Sequence, residues 1–364
     1  MFRLLVFAAV LSATLLGWGV AQSEQQTSGA AVGYINHALD IMQQNSLHRK
    51  VVDWRQLRRE TLERAEGSQT AADTYDAIRF ALGKLGDHHS FLQLSPDMQT
   101  TEKEARAKYK VLPTPETGPE KWPPSPYIYR HIPGGSIEKI DGIRVARIVV
   151  PHLINPDDGQ MRSYAEVLGS TIANLATEHP TGWIIDLRGN LGGNMWPMLA
   201  GVGPLEGTGG LGSYIDADGN EDTWFYGADG AGVHTHHGKR HILCWIRAQP
   251  IFFKTPQIVA ILIDHGTASS GEAIAISFQG MPRSRSFGRP THGQSTANEG
   301  FPLKDGANLV LTTSVEADRT GKVYLDGIIP EVVLPEETQM PAPGSIDPMS
   351  QVAAAWIKST AERH

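Results

Sequence analysis

The sequence predicts an α/β fold: a mixed, partly parallel sheet with crossover helices, preceded by an N-terminal helical subdomain and interrupted by inserted β-hairpins. Three observations predict it. Apolar residues recur at helical spacing between positions 35 and 85. Two apolar runs, Trp183 to Leu187 and Ile258 to Ile263, each lead through a turn of small residues into a helix-like segment. Turn chemistry then repeats between 206 and 247, at Gly209-Gly210, Asp218-Gly219-Asn220 and Asp229-Gly230.

Taken in order, residues 1–21 read as a secretory signal peptide. A basic Met1-Phe2-Arg3 start is followed by an apolar run from Leu4 to Val20, and small residues close it before the polar Gln22-Ser23-Glu24, which places cleavage after Ala21. The run sits at the lower limit for a bilayer span, so no stable membrane insertion is expected after cleavage, and the mature chain is placed in a secreted or periplasmic location. Residues 22–95 form the helical subdomain. Its three helices are marked by Ile35, Ala38, Leu39, Ile41 and Met42, by Trp54, Leu57 and Leu62, and by Tyr75, Ile78, Leu82 and Leu85. Residues 96–140 read as a Pro-rich, charged connector.

The core spans 141–340, with 206–247 as its hairpin insertion, and 341–364 form a C-terminal linker and helix. Within the core, Ile143–Val150 reads as a strand, Met161–Ala176 as a helix and Gly182–Leu187 as the next strand. That order implies a right-handed crossover between parallel strands, and sites on such sheets gather at the carboxyl ends of the strands.

Net charge and composition exclude several function classes. A formal charge of −7 gives no basic footprint for nucleic acid. The single cysteine, Cys244, excludes an intrachain disulfide and most cysteine metal sites, and its apolar neighbours Leu243 and Trp245 predict a buried thiol. Asp216, Asp218 and Asn220 have the alternation of a calcium loop, but a glycine stands at the fourth position and no glutamate closes the twelve. His234, His236, His237 and His241 fit either a transition-metal site or polar alternation on a solvated hairpin. No metal and no cofactor is expected.

Three segments carry the chemistry. Asp264 to Glu272 follows the second apolar run, and a serine at such a strand-to-helix turn is presented where orphan N–H groups favour negative charge, which makes Ser269 the candidate nucleophile. The hydroxyls of Thr267, Ser269 and Ser270 are also good helix caps. Asp186 to Asn194 offers glycines whose amides can approach a substrate carbonyl, with a plain strand-to-helix loop as the alternative. Leu85 to Phe91 ends the third helix and holds His88 and His89, and a nucleophilic serine needs a group of near-neutral pKa to take its proton.

In this chain order the segments resemble the tail-specific, or C-terminal processing, proteases and their tricorn-core and interphotoreceptor-retinoid-binding-protein-like relatives. The resemblance covers about residues 70 to 335. Asp186-Leu187-Arg188, Asn190, Gly192 and Gly193 are similar to the family's D-L-R-x-N-x-G-G, and Thr267 to Glu272 is similar to its S-A-S-A-S-E segment, which implies Ser269 as nucleophile. Pro302 to Gly306 with Leu309 to Thr313, and Gly327 to Val332, are similar to the family's closing motifs.

Two departures follow. Gln294 stands where the tail-specific branch carries its lysine base, so a Ser–Lys dyad is not implied. The tricorn-like branch takes its base from an H-S pair, which His89-Ser90 matches, leaving His88 and His292 as rivals. The segment between Leu92 and Ile143 is also too short for the branch's PDZ domain of about 80 residues. The chain therefore resembles a PDZ-lacking branch.

The implied enzyme is a secreted serine endopeptidase acting on a peptide or unfolded protein, with no nucleic acid partner. Ser269 attacks, His89 is the base, and Gly192, Gly193 and Ser270 amides hold the oxyanion. Glu272, three residues beyond Ser269, braces the turn with Gln294 as a second supporting residue. Asp326 is the candidate orienting acid, with Glu299 and Glu272 as alternatives, and the base is expected to titrate near neutrality. The competing class is a non-catalytic binder of peptides or small apolar ligands; an esterase using the same serine is a third.

Overall fold

The computed structural model describes residues 26–108, 125–128, 130–247, 251–335, 340–342 and 345–363. The signal-peptide segment 1–21 and most of the connector between 109 and 124 lie outside these residues. Three helices open the described chain: α1 (Gly29–Asn45), α2 (Trp54–Arg64) and α3 (Ala71–Gly83). Each begins at a side chain that accepts an otherwise orphaned N–H: Ser28, Asp53 and Thr70, the last in a capping box with Asp73.

A short strand β1 (Phe91–Gln93) follows, and then a helix α4 (Pro96–Lys108) forms inside the stretch expected to be a connector. Its sequence is polar with little apolar periodicity. A half-buried contact helps hold it, the Arg79 guanidinium on α3 forking onto Glu102, beside Met98 packed on the N-terminal core.

The core sheet is built from β2 (Gly134–Ile140), β3 (Ile143–Val149), the crossover helix α5 (Asp158–Ala176), β4 (Gly182–Asp186) and helix α6 (Met195–Glu206). Four antiparallel strands follow: β5 (Gly209–Asp216), β6 (Glu221–Gly227), β7 (Gly230–His234) and β8 (Arg240–Trp245). The chain then returns through β9 (Val259–Ile263), α7 (Ser270–Ser277) and β10 (Ser284–Gly288). Strands β11 (Thr296–Pro302), β12 (Asn308–Asp318), β13 (Val323–Tyr324) and β14 (Val332–Val333), and helix α8 (Pro348–Ala361), complete it.

Two sheets result. The first has the order β14-β10-β9-β4-β3-β2, parallel except for the β2/β3 hairpin, and is the mixed, partly parallel sheet the sequence predicts. The second runs β1-β12-β5-β6-β7-β8, with β11 and β13 also on β12, so the predicted hairpins extend a sheet anchored on the long β12.

Why β4 and β9 read as unbroken apolar runs is explained by their surroundings. Trp183, Ile185, Val259 and Ile261 face α5, α6 and α7, while Ile184, Ala260 and Leu262 face Ala353 and Ile357 of α8. With both faces covered, polar alternation has no place. The N-terminal helices pack Ile35, Leu39 and Ile78 against Leu309 and Leu311 of β12, which fixes the end of α3 beside the second sheet. Cys244 is buried, as its apolar neighbours predict. Among the described residues, no helix is long and apolar enough to cross a membrane.

At the carboxyl end of β4 a buried ionic cluster ties the sheet to α8. Asp186 accepts from Arg188 Nε at 2.9 Å, from Arg130 at 2.5 Å and from Arg147, while Asp347, the N-cap of α8, bonds Arg188 and Arg147. The Asp186 carboxyl is held well below the ordinary range because Arg188, Arg147 and Arg130 outweigh the desolvation that opposes it. Arg188 also folds over the Tyr127 ring, 4.1 Å from its centroid. The two carboxyls, depressed in the folded state, contribute stability that is present above the unfolded carboxylate pKa and lost as pH falls. Asp347→Asn leaves three guanidiniums facing one carboxylate and is expected to cost about 3 kcal/mol at neutral pH. Urea unfolding at pH 7 and pH 4 tests this: the deficit should narrow at the lower pH, and equal midpoints for variant and parent at pH 7 would refute it.

Candidate active site

The turn after β9 is fastened to the end of β4 before it reaches Ser269. Asp264 Oδ1 accepts from the Gly189 and Gly266 N–H groups at 2.9 and 3.0 Å, Thr267 Oγ1 donates to the Leu187 carbonyl at 2.9 Å, and Ala268 N–H donates to the Asn190 carbonyl at 2.9 Å. Ser269 is then left at φ 52°, ψ −121°, immediately before the first residue of α7. That conformation is strained for a residue with a Cβ, costing roughly 1–3 kcal/mol, and persists only where the surroundings over-determine it. Glu272 supplies the restraint, since its Oε2 accepts the Ser269 N–H at 2.8 Å.

Glu272 does more than brace the helix. Fully buried, it also accepts from Thr291 Oγ1 at 2.6 Å, Gly293 N–H at 2.9 Å and Gln294 N–H at 2.8 Å. One carboxylate thus joins the serine turn to the 291–294 loop. Burial pushes its pKa up, and these four donors oppose that shift.

The glycine turn packs directly on the serine. Gly192 and Gly193 adopt φ of 94° and 108°, and a Cβ on Gly192 would lie 2.8 Å from Ser269 Cβ and 3.0 Å from Ser270 N. Ser270 Oγ closes the contact by donating to the Gly193 carbonyl at 2.7 Å. Among the described residues, the Gly193 and Ser270 N–H groups donate to no protein acceptor. Gly192 is a correction to the sequence reading: its N–H is engaged by Asn190 Oδ1 at 2.9 Å, so its role is to let the backbone approach. Of the three amides, those of Gly193 and Ser270 remain without an acceptor among the described residues.

His89 reaches this region from the end of α3. Its turn is held by Asp87, whose Oδ1 accepts the His89 and Ser90 N–H groups at 3.1 and 2.7 Å and whose Oδ2 accepts Ser90 Oγ at 2.9 Å. The His89 Nδ1 lies 2.9 Å from Thr296 Oγ1, and Thr296 lines the same cleft as Ser269. Burial lowers the His89 pKa to about 4; Asp87 opposes that shift and His292 adds to it. The near-neutral titration expected from the residue type is therefore moved down by desolvation. His88 is exposed and offers its carbonyl to the Gln294 side chain at 3.3 Å, so Gln294 tethers the histidine turn.

Asp326 is the second correction. Its side chain is exposed and makes no hydrogen bond or ion pair among the described residues; the chain turns at the positive-φ Gly327, and the Asp326 backbone lies against Gly293. Glu299 accepts from Thr313 Oγ1 at 3.2 Å on the cleft wall.

Sequence reasoning missed Asp87, Thr296 and Glu316. Asp87 carried a signal, the D-x-x-S spacing of an Asx turn, whereas Thr296 and Glu316 lie on strands with nothing local to distinguish them. Glu316 is buried with Oε2 unpaired, lines the cleft, and has its pKa raised well above the ordinary value by burial and by Glu272.

The cleft has a volume of about 800 Å³ and is bordered by Asn155, Trp196, Ser269, Ser270, Thr296 and Glu316 among others. The hairpin residues singled out as metal-like are otherwise occupied. Asp216 satisfies the Asp218 and Asn220 N–H groups of its own turn, and His236 stacks on His237 while its Nδ1 meets Asp222 at 2.8 Å.

Residues 145–334 match the model of peptidase family S41. The chain is 26% identical over 331 residues to the nisin-resistance protein of Lactococcus lactis subsp. lactis, covering 88% of this chain and 90% of that protein. A lipoprotein from Streptococcus agalactiae superposes with a TM-score of 0.62 at 23% identity, over 92% of this chain and 98% of its own. The photosystem II D1 C-terminal processing protease gives 0.55 at 13% identity, over 84% and 94%. Both structures share the fold.

The strain at Ser269 is measurable. Ser269→Gly, which accepts the positive φ without cost, is expected to be about 1 kcal/mol more stable than Ser269→Ala, which does not. Equal urea midpoints for the two variants would show that the turn is unstrained.

Proposed function

Because the chain belongs to peptidase family S41, we propose that it is a secreted serine endopeptidase that cleaves peptides or unfolded protein through a Ser269 acyl-enzyme. The observation that carries this reading is the contact between the two turns: Gly192 packs on Ser269 while the Gly193 and Ser270 N–H groups are left without a protein acceptor beside it. Donors fixed in that way are set up for a charge that is present only during reaction.

In this mechanism Ser269 Oγ attacks the peptide carbonyl carbon as His89 takes the hydroxyl proton. The oxyanion accepts hydrogen bonds from Gly193 and Ser270 N–H. His89 returns the proton to the leaving amine as the C–N bond breaks, and water, deprotonated by His89, then hydrolyses the ester. The half-buried imidazole supports the role of base, since desolvation keeps it neutral, and so able to accept a proton, above about pH 4. The apolar run from Leu4 to Val20, and the likeness to a nisin-resistance protein and a lipoprotein, support placement outside the cytoplasm.

Peptide turnover by the parent, Ser269→Ala, His89→Ala and the double variant tests the reading, with a serine-directed phosphonate and intact mass to locate the nucleophile. Each single change should lower turnover by about three orders of magnitude or more and the double change little further, because parts acting as one unit are non-additive. Phosphonate labelling of the parent without peptide hydrolysis would favour a ligand-binding role on the same fold. Full turnover by His89→Ala would transfer the base to His292.

The pH profile has a sign of its own. Below its folded pKa His89 carries the proton it must accept, so kcat/KM should fall only on the acid side of about pH 4 and hold through neutrality. An acid limb near pH 6.5 would show that the ring is solvated in the working enzyme.

A further inference from the structure

Resting on the assignment of Ser269 and His89 as nucleophile and base, we propose that Thr296 is the positioning residue that holds the His89 ring for proton transfer, in the place where a serine triad ordinarily carries a carboxylate. Its Oγ1 lies 2.9 Å from His89 Nδ1, across 207 residues of sequence. Thr296 is the first residue of β11, fixed by its own N–H to the Gln294 carbonyl at 2.8 Å and by pairing with Val315 of β12. The hydroxyl is therefore presented from a strand, and Gln294 in turn tethers His88.

The backbone carbonyl of Thr296 also favours a proton on the ring. Oγ1 is placed to accept the proton of the Nδ1–H tautomer. That tautomer leaves the Nε2 lone pair to receive the Ser269 proton.

Among the described residues, no carboxylate bonds Nδ1. The titratable groups acting on the ring are Asp87, from its own turn, and His292, from the loop leading into β11. Asp87 is occupied by the His89 and Ser90 N–H groups and by the Ser90 and Thr312 hydroxyls, so it shapes the turn and leaves the ring to Thr296. Asp326 stands exposed, with no hydrogen bond among the described residues.

A hydroxyl orients the imidazole as a carboxylate does but supplies no negative charge to stabilise the imidazolium. The base is thereby weaker and remains unprotonated, hence competent, in acid surroundings. Charge separates the two designs experimentally.

The test is kcat, KM and the pH profile from pH 3 to 9 for the parent, Thr296→Val, Thr296→Ser and Thr296→Asp on one fluorogenic peptide, with thermal unfolding of each. Thr296→Val keeps the β-branched strand residue and the carbonyl but removes the hydroxyl. It should lower kcat about tenfold with KM little changed, the scale of one lost hydrogen bond in the transition state, and Thr296→Ser should restore the rate. Thr296→Asp should move the acid limb of kcat/KM up by about one to three pH units, as an opposite charge at that range does. Nitrogen NMR of His89 adds a readout independent of turnover: the Nδ1–H tautomer should dominate in Thr296→Ser and give way to a mixture in Thr296→Val. Parental kcat in Thr296→Val, together with an unmoved limb in Thr296→Asp, would overturn the proposal. An active His89→Ala would instead overturn the base assignment on which it rests.

Discussion

Everything about the site turns on one buried carboxylate. Glu272 accepts four hydrogen bonds, from the serine turn at Ser269 and from Thr291, Gly293 and Gln294 in the loop ahead of β11. A carboxylate without those donors would be costly in so dry a place, and the donors would be costly without it. Each side therefore requires the other. The result is that the serine, the loop that tethers the distant histidine turn, and the strand bearing Thr296 are held in one frame.

That frame accounts for the strain. Ser269 sits at a positive φ because the hydrogen bonds of Glu272 on one side and of Ala268 on the other leave its backbone no alternative. The glycine turn then closes on it at a distance no Cβ would permit. Strain, close approach and two unpaired amides occur at one point, which is where a reacting carbonyl would be polarised. A second buried carboxylate, Glu316, lies near enough to Glu272 for each charge to disfavour the other, and burial raises its pKa further. Burial also lowers the pKa of His89, so dehydration favours the neutral form of acid and base alike.

The ionic cluster beneath the glycine turn serves a different end. Asp186 and Arg188 close β4, and through Asp347 they fasten α8 to the face of the sheet opposite the crossover helices. Arg188 is thereby fixed four residues before Gly192.

By itself the sequence determined what depends on near neighbours. The apolar runs of β4 and β9, the crossover order, the helices of the first subdomain, and the turns at Ser269 and Gly192-Gly193 were all legible, because periodicity, caps and glycine conformational freedom act over a few residues. Helix α4 was not, since a tertiary ion pair to Arg79 stabilises a stretch with no periodic signal of its own. Only the tertiary structure decided how the site is wired. Which glycine amide remains unpaired depends on where the Asn190 side chain points; Asp326 is exposed where the sequence reading needed it beside His89; and the partner of His89 is a threonine 207 residues away on a strand. Hydrogen bonds between side chains are set by distances of a few ångströms in the folded molecule, and residues far apart in sequence leave no local pattern that records them.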